Sequence, residues 1–175
     1  MLLRSAVVIR PALPEDAHDI AEVHVASWRT TYTGIFPDAL LTSLNVERRT
    51  AAWQEILQDP AQVTLIAVAS DGRIAGFVGG GKERTGNLNC DGELYAIYLR
   101  QEAQRQGLGT QLVRQFAQEL HRRLMTSMAV WVLAANPARQ FYEALGAHII
   151  GQRTVEPGGK KYQEIAYGWA CLIDL

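Results

Sequence analysis

Gln104-Arg105-Gln106-Gly107-Leu108-Gly109-Thr110 stands between a strand-like run, Glu93-Leu94-Tyr95-Ala96-Ile97-Tyr98-Leu99, and a strongly amphipathic helical segment. Glycines there let the backbone approach an anion closely, and the N–H groups and positive dipole end of the following helix supply donors without a cationic side chain. The stretch reads as a cradle for a pyrophosphate. After Gly109, apolar Leu112, Val113, Phe116, Ala117, Leu120 and Leu124 recur at helical spacing, with Arg114, Gln115, Gln118, Glu119, Arg122 and Arg123 largely on the other side.

Outward from this stretch the elements alternate. Met128 to Ala134 reads as a buried strand; Pro137 opens a helix running to Leu145, and Gly146 stops it. Strand, helix, strand, helix implies a parallel pair. Upstream, Val7 to Leu13 reads as a first strand and Pro14-Glu15-Asp16 as a helix start ahead of Ile20, Val23, His24 and Ser27. Pro37 to Leu44 and Val46 to Leu57 follow as helices. Val63 to Ala69 and Arg73 to Gly79 form a hairpin about Ser70-Asp71-Gly72, and polar Lys82 to Gly92 reads as a flexible loop. Ala147 to Val155 and Tyr162 to Ile173 close the chain as two strands. Strict alternation would set Glu93, Tyr95, Ile97 and Leu99 on one face of the central strand, unless a bulge resets the phase. The fold expected is one α/β domain over residues 1–175, with a mixed, mostly antiparallel central sheet flanked by helices.

Composition narrows the function. With 175 residues and 48% hydrophobic side chains, the chain can bury a core without a disulfide or metal staple. Cys90 and Cys171 lie far apart with no partner at metal-ligand spacing, which fits a reducing compartment and gives no metal site. The apolar run Ala6-Val7-Val8-Ile9 ends at Arg10-Pro11, short of a signal-peptide core, so a cytoplasmic location is expected. A formal net charge of −1 offers no global attraction to nucleic acid or an anionic membrane. There is no Walker lysine motif and no full dinucleotide fingerprint.

A second motif, Asn136 followed by Ala138-Arg139-Gln140-Phe141-Tyr142-Glu143-Ala144-Leu145-Gly146, comes just after the next strand. In order and content, the paired motifs resemble the GNAT superfamily of acyl-CoA-dependent N-acetyltransferases. The resemblance spans nearly the whole chain and is strongest from Glu93 to Gly146; it implies a GNAT-like sheet with its parallel pair at the acyl-CoA site. It further implies acetyl transfer from acetyl-CoA to a primary amine by direct attack on the thioester, with no metal. The backbone of Ile97, Tyr98 and Leu99 would pair with the pantetheine arm, an N–H near Ile97 stabilising the oxyanion. The loop of Gln104, Arg105, Gln106, Gly107, Leu108, Gly109 and Thr110 would wrap the pyrophosphate.

Further residues follow from the same resemblance. Asn136 matches a cofactor-side position, although Asn before Pro137 is equally a helix cap. Arg105 and Arg139 either reach CoA phosphates or are solvated arginines. Tyr142 matches the general acid that protonates the departing CoA sulfur, or packs as a core aromatic. A phenol with pKa about 10 can donate to a thiolate whose thiol titrates near ~8.5. Glu93 matches a carboxylate that takes the amine proton directly or through water, or is a solvent-facing strand residue. A lysine-like amine with pKa about 10.4 needs roughly 4.6 kcal/mol to present its neutral form at pH 7. Trp28 and Tyr32, in the segment after the first helix, and Tyr95 are candidates for the acceptor cleft. The chain departs from the family at Arg100-Gln101, where a proline is frequent, and at Ala147, where an aromatic is frequent. The resemblance implies as acceptor a small-molecule amine or a peptide or protein N-terminus. The competing reading is a non-catalytic acyl-CoA-sensing or protein-interaction module, and a homodimer is open.

Overall fold

The computed structural model describes residues 7–175, so the start of the Ala6–Ile9 run lies outside it. Among the described residues seven strands form one sheet. In chain order they are β1 (Val8–Pro11), β2 (Val63–Val68), β3 (Ile74–Lys82), β4 (Gly92–Leu99), β5 (Met128–Leu133), β6 (His148–Val155) and β7 (Tyr162–Trp169). Their spatial order is β1-β2-β3-β4-β5-β7-β6, and every pairing is antiparallel except β4 with β5. The helices are α1 (Ala17–Tyr32), α2 (Asp38–Thr42), α3 (Val46–Gln58), α4 (Leu108–Arg122) and α5 (Arg139–Ala144).

Each sheet face is covered as the periodicities require. The apolar stripe of α4 (Leu112, Val113, Phe116, Ala117 and Leu120) is buried against Val78, Leu94, Met128 and Val130. Fully burying a side chain of this size stabilises the fold by about 1.5–3 kcal/mol, so this stripe fixes the helix on the sheet. On the opposite face α1 and α3 bring Ile20, Val23 and Trp53 onto Ile66 and Phe77. Asn45 caps α3 through its side chain, which accepts the Arg48 N–H at 2.8 Å. The Ser70-Asp71-Gly72 hairpin turn is present, with Gly72 at φ +84°.

Several sequence expectations shift. Leu124 is not part of the stripe: α4 ends at Arg122, and Leu124 is 90% exposed beyond it. The last strand ends at Trp169; Tyr167, Trp169 and Leu172 are core residues, and the edge strand is β6. Helix α5 begins at Arg139 because Asn136 Oδ1 accepts the Ala138 N–H at 2.9 Å, holding Asn136–Ala138 as a turn. The Lys82–Gly92 segment is more ordered than its composition suggests. Lys82 belongs to β3, the Glu83 carboxylate accepts from the Thr85 N–H and hydroxyl, and Asp91 accepts from Thr126.

The strongest correction concerns β4. Gly79 pairs with Ala96 but Gly80 pairs with Leu94, so Tyr95 is an extra residue bulged against β3. The phase resets there: Leu94, Ile97 and Leu99 pack toward α4, whereas Ala96 and Tyr98 pack toward α1. Gly80 makes the bulge possible, since a Cβ at that position would stand 2.1 Å from the Glu93 carbonyl oxygen and 2.6 Å from Phe116 Cζ.

Candidate active site

The parallel ladder between β4 and β5 covers only Gly92, Glu93 and Leu94, after which the strands diverge. Arg100 N–H donates to the Ala75 carbonyl at 2.8 Å. Because backbone groups alternate along a strand, those of Tyr98 also face β3, while Ile97 and Leu99 turn theirs toward the unpaired edge. A free strand edge thus opens in mid-sheet. It leads to the Gln104–Thr110 loop: Gln104 Nε2 donates to the Leu99 carbonyl at 3.1 Å, and Gln106 Nε2 to the Glu102 carbonyl at 2.7 Å.

The loop ends at Gly107, in the left-handed region at φ +81° and directly preceding α4. Among the described residues no side chain caps this helix, so the N–H groups of Leu108, Gly109 and Thr110 face outward as donors at the positive end of the dipole. The two glycines do different work. Gly107 supplies the backbone angle, whereas a Cβ on Gly109 would lie 3.3 Å from Phe141, so Gly109 brings α4 close to α5. Arg105 is exposed; Arg139 is engaged, donating to the Tyr167 hydroxyl at 2.9 Å and to the Ala134 carbonyl at 3.1 Å. A concavity of about 280 Å³ lies beside Asn136 and the start of α5. The larger one, about 660 Å³, sits between α4 and the last residues, away from the divergence of β4 and β5.

Three phenols gather at this divergence. Tyr32 and Tyr98 share a hydroxyl–hydroxyl hydrogen bond of 3.3 Å. Tyr142 is buried between Phe141, Tyr167 and Trp169, and no described residue hydrogen-bonds its hydroxyl. Burial, then the neighbouring Tyr32, pushes the Tyr142 pKa well above the ordinary phenol value. Burial also raises Tyr98 and Tyr32, so all three hold their protons at neutral pH. Trp28 packs on Tyr32 and Phe36, while Tyr98 stacks on His24, whose own pKa is lowered to about 3 by burial and then by the Arg49 charge.

Glu93 is not solvent-facing: it is 1% exposed and fastened to Arg84, which contacts the carboxylate through its backbone N–H, Nε and Nη2. The same guanidinium lies 4.0 Å from the centroid of the Tyr95 ring, and the Tyr95 hydroxyl donates to the Lys82 carbonyl at 2.5 Å. On β5, Ala129, Trp131 and Leu133 face away from α4, and Leu133 packs with Tyr162, Trp28 and Phe36. Glu164 lies opposite Leu133, and Arg153 lies opposite Glu164, donating Nε to Oε2 at 2.7 Å with its guanidinium 4.1 Å from the Trp131 ring. Arg84, Arg153, Trp131, Tyr162 and Glu164 were not among the sequence candidates. The continuous apolar run Met128 to Ala134 marks Trp131 as strand, but only the register puts Arg153 beside Glu164. Among the described residues no three His, Cys, Asp or Glu side chains are grouped to hold a metal, and no helix is long and apolar enough to cross a membrane.

Comparison with known proteins agrees with this geometry. The FR47-like protein family matches residues 87–155, which contain β4, the loop, α4, β5, α5 and β6. The uncharacterized N-acetyltransferase YuaI of Bacillus subtilis (strain 168) is 39% identical over 169 residues, covering 97% of this chain and 96% of its own. Among solved structures, the PaiA N-acetyltransferase of Thermoplasma acidophilum in complex with coenzyme A matches with a TM-score of 0.68 at 18% identity, over 94% of this chain and 99% of that one. YncA of Salmonella typhimurium, solved with its cofactor acetyl-CoA, matches with a TM-score of 0.70 at 20% identity, over 94% of each chain. The chain belongs to the GNAT superfamily of N-acetyltransferases.

Proposed function

We propose that the protein transfers the acetyl group of acetyl-CoA to a primary amine by direct attack of the amine on the thioester. The observation that carries this is the edge of β4 left unpaired by β5, with the Ile97 backbone groups and the Leu99 N–H free and only the Leu99 carbonyl taken by Gln104 and Ser27, lying next to an uncapped helix N-terminus behind Gly107. These features suit the two halves of the cofactor. Peptide-like pantetheine amides can pair with an unpaired strand edge, and a pyrophosphate suits the donors of Leu108, Gly109 and Thr110. Bound there, acetyl-CoA would supply an activated acyl group and a thiol leaving group.

The protein's own groups supply the rest. The Ile97 N–H at the free edge is a fixed donor for the oxygen that gains negative charge, a term that does not need to reorganise during reaction. Tyr142 holds a proton throughout the neutral range and has no partner for it among the described residues, so it is the general acid for the departing sulfur. Glu93 has both carboxylate oxygens engaged by Arg84. We assign it the positioning of Arg84 and Tyr95 rather than direct proton abstraction, the amine losing its proton to water.

Two measurements test this reading. Acetyl-CoA or CoA at about 100 times its dissociation constant should stabilise the fold by roughly 2.7 kcal/mol, about 5–10 °C in melting temperature, while ATP and NAD should not. CoA release with an amine panel should then yield an acetylated product. Absence of any shift from a folded protein at saturating acetyl-CoA would remove the cofactor assignment. A shift without product from any amine would leave a binding module in place of an enzyme.

A further inference from the structure

Beyond the cofactor edge, the hydrogen-bonding capacity left unused on the acceptor face is nearly all of one kind. Among the described residues three buried side-chain polar atoms lack a partner: Trp28 Nε1, Trp131 Nε1 and the Tyr162 hydroxyl. All three belong to the α1-facing side of the sheet, around Leu133. An indole N–H only donates. The two arginines on this face add to the surplus. Arg153 uses only Nε on Glu164 and Arg84 leaves Nη1 unused. Each guanidinium is held against an aromatic ring, at 4.1 Å on Trp131 and 4.0 Å on Tyr95, so its fork is pre-oriented. The acceptors are mostly taken: Arg84 engages both Glu93 oxygens, and Glu164 keeps only Oε1 free.

Buried donors without partners are costly unless a ligand supplies acceptor oxygens. A polyamine or a polycationic antibiotic would bring more donors to a face with one spare carboxylate oxygen. We propose that the acceptor is a small primary amine that also carries an anionic oxygen group, a carboxylate or its phosphonate equivalent, gripped by Arg153 with the indole N–H groups beside it. The inference deepens the acetyl-transfer reading and rests on it only for the amine being the group acetylated.

Calorimetric titration of the CoA-saturated protein reads recognition apart from turnover. The ligands are the L-amino acids, each paired with its decarboxylated amine, together with aminophosphonate analogues and spermidine. At least one amino acid or aminophosphonate should bind about 100-fold more tightly than its matched amine, since only the acid gives the Arg153 Nη groups, which Glu164 leaves unused, an anionic partner. In R153M that preference should fall to about threefold or less, and R153K, with charge but no fork, should fall between. R153M leaves Glu164 without its ion pair, so the R153M/E164Q double variant should show the same loss of preference. Spermidine or the decarboxylated amines binding as tightly as the acids would overturn the inference, as would a preference that survives in R153M and the double variant. A parallel titration with acetyl-CoA separates the two levels. If acetyl-CoA fails to bind, the acetyl-transfer reading falls, whichever way the amine comparison comes out.

Discussion

Replacing Tyr142 with Phe removes one oxygen from a fully packed ring, and the structure gives separate expectations for stability and for rate. Because no described residue hydrogen-bonds that hydroxyl, no protein donor or acceptor is orphaned when it goes, and the ring contacts with Phe141, Tyr167 and Trp169 remain. The change in folding stability should stay within about 1 kcal/mol, a melting shift of roughly 2–4 °C or less in a chain of this size. The catalytic effect should be far larger, since a positioned general acid contributes typically ~10²–10⁴-fold. Steady-state CoA release should show kcat reduced by about that factor, with the acetyl-CoA dissociation constant changed by about twofold or less. An unchanged kcat, or a rate loss matched by a stability loss above about 2 kcal/mol, would refute the assignment and return Tyr142 to the core.

Other outcomes follow from particular contacts. Gly80→Ala must displace the Glu93 backbone or Phe116, so it should cost about 3 kcal/mol or more and abolish activity; an unshifted denaturation midpoint would show that β4 carries no such bulge. Glu93→Gln should lower kcat less than about tenfold if Glu93 only positions Arg84, whereas the ~10²–10⁴-fold loss of a true base would reverse the assignment. His24 is buried as the neutral ring and accepts the Trp53 indole N–H at 3.3 Å. Its pKa, about 3 folded and about 6.5 when exposed, makes its contribution full above pH 6.5 and lost as pH falls toward 3. Between pH 6.5 and 4.5 the loss should approach about 2.7 kcal/mol by urea denaturation. A His24→Gln variant showing the same pH slope would contradict this.

Legibility in the sequence depended on how local each cause was. The Gly107 turn, the α4 stripe and the Ser70-Asp71-Gly72 hairpin are set by neighbours within a few residues, and they are present in the structure. The bulge at Tyr95 is not local, since it depends on Gly80 of the partner strand having no side chain. For the same reason Glu93 could be read as solvent-facing: its burial and its arginine come from the Lys82–Gly92 segment folding back over it. The absence of a side chain at Gly109 has a second consequence that no local motif encodes, the close approach of Phe141 from α5. Of the two readings of Asn136, the local one is visible in the fold: its Oδ1 holds the turn ahead of α5, as Asn before Pro137 implies. The Arg153–Glu164–Trp131 group was invisible because strand register, which no short motif encodes, is what assembles it.

The most direct test of the central claim is an amide-resolved NMR titration of the 15N-labelled protein with acetyl-CoA. The account expects the largest shifts at Ile97 and Leu99 on the free edge of β4 and at Leu108, Gly109 and Thr110 at the start of α4. Shifts confined to the concavity between α4 and the last residues, or no shifts at saturating ligand, would contradict it.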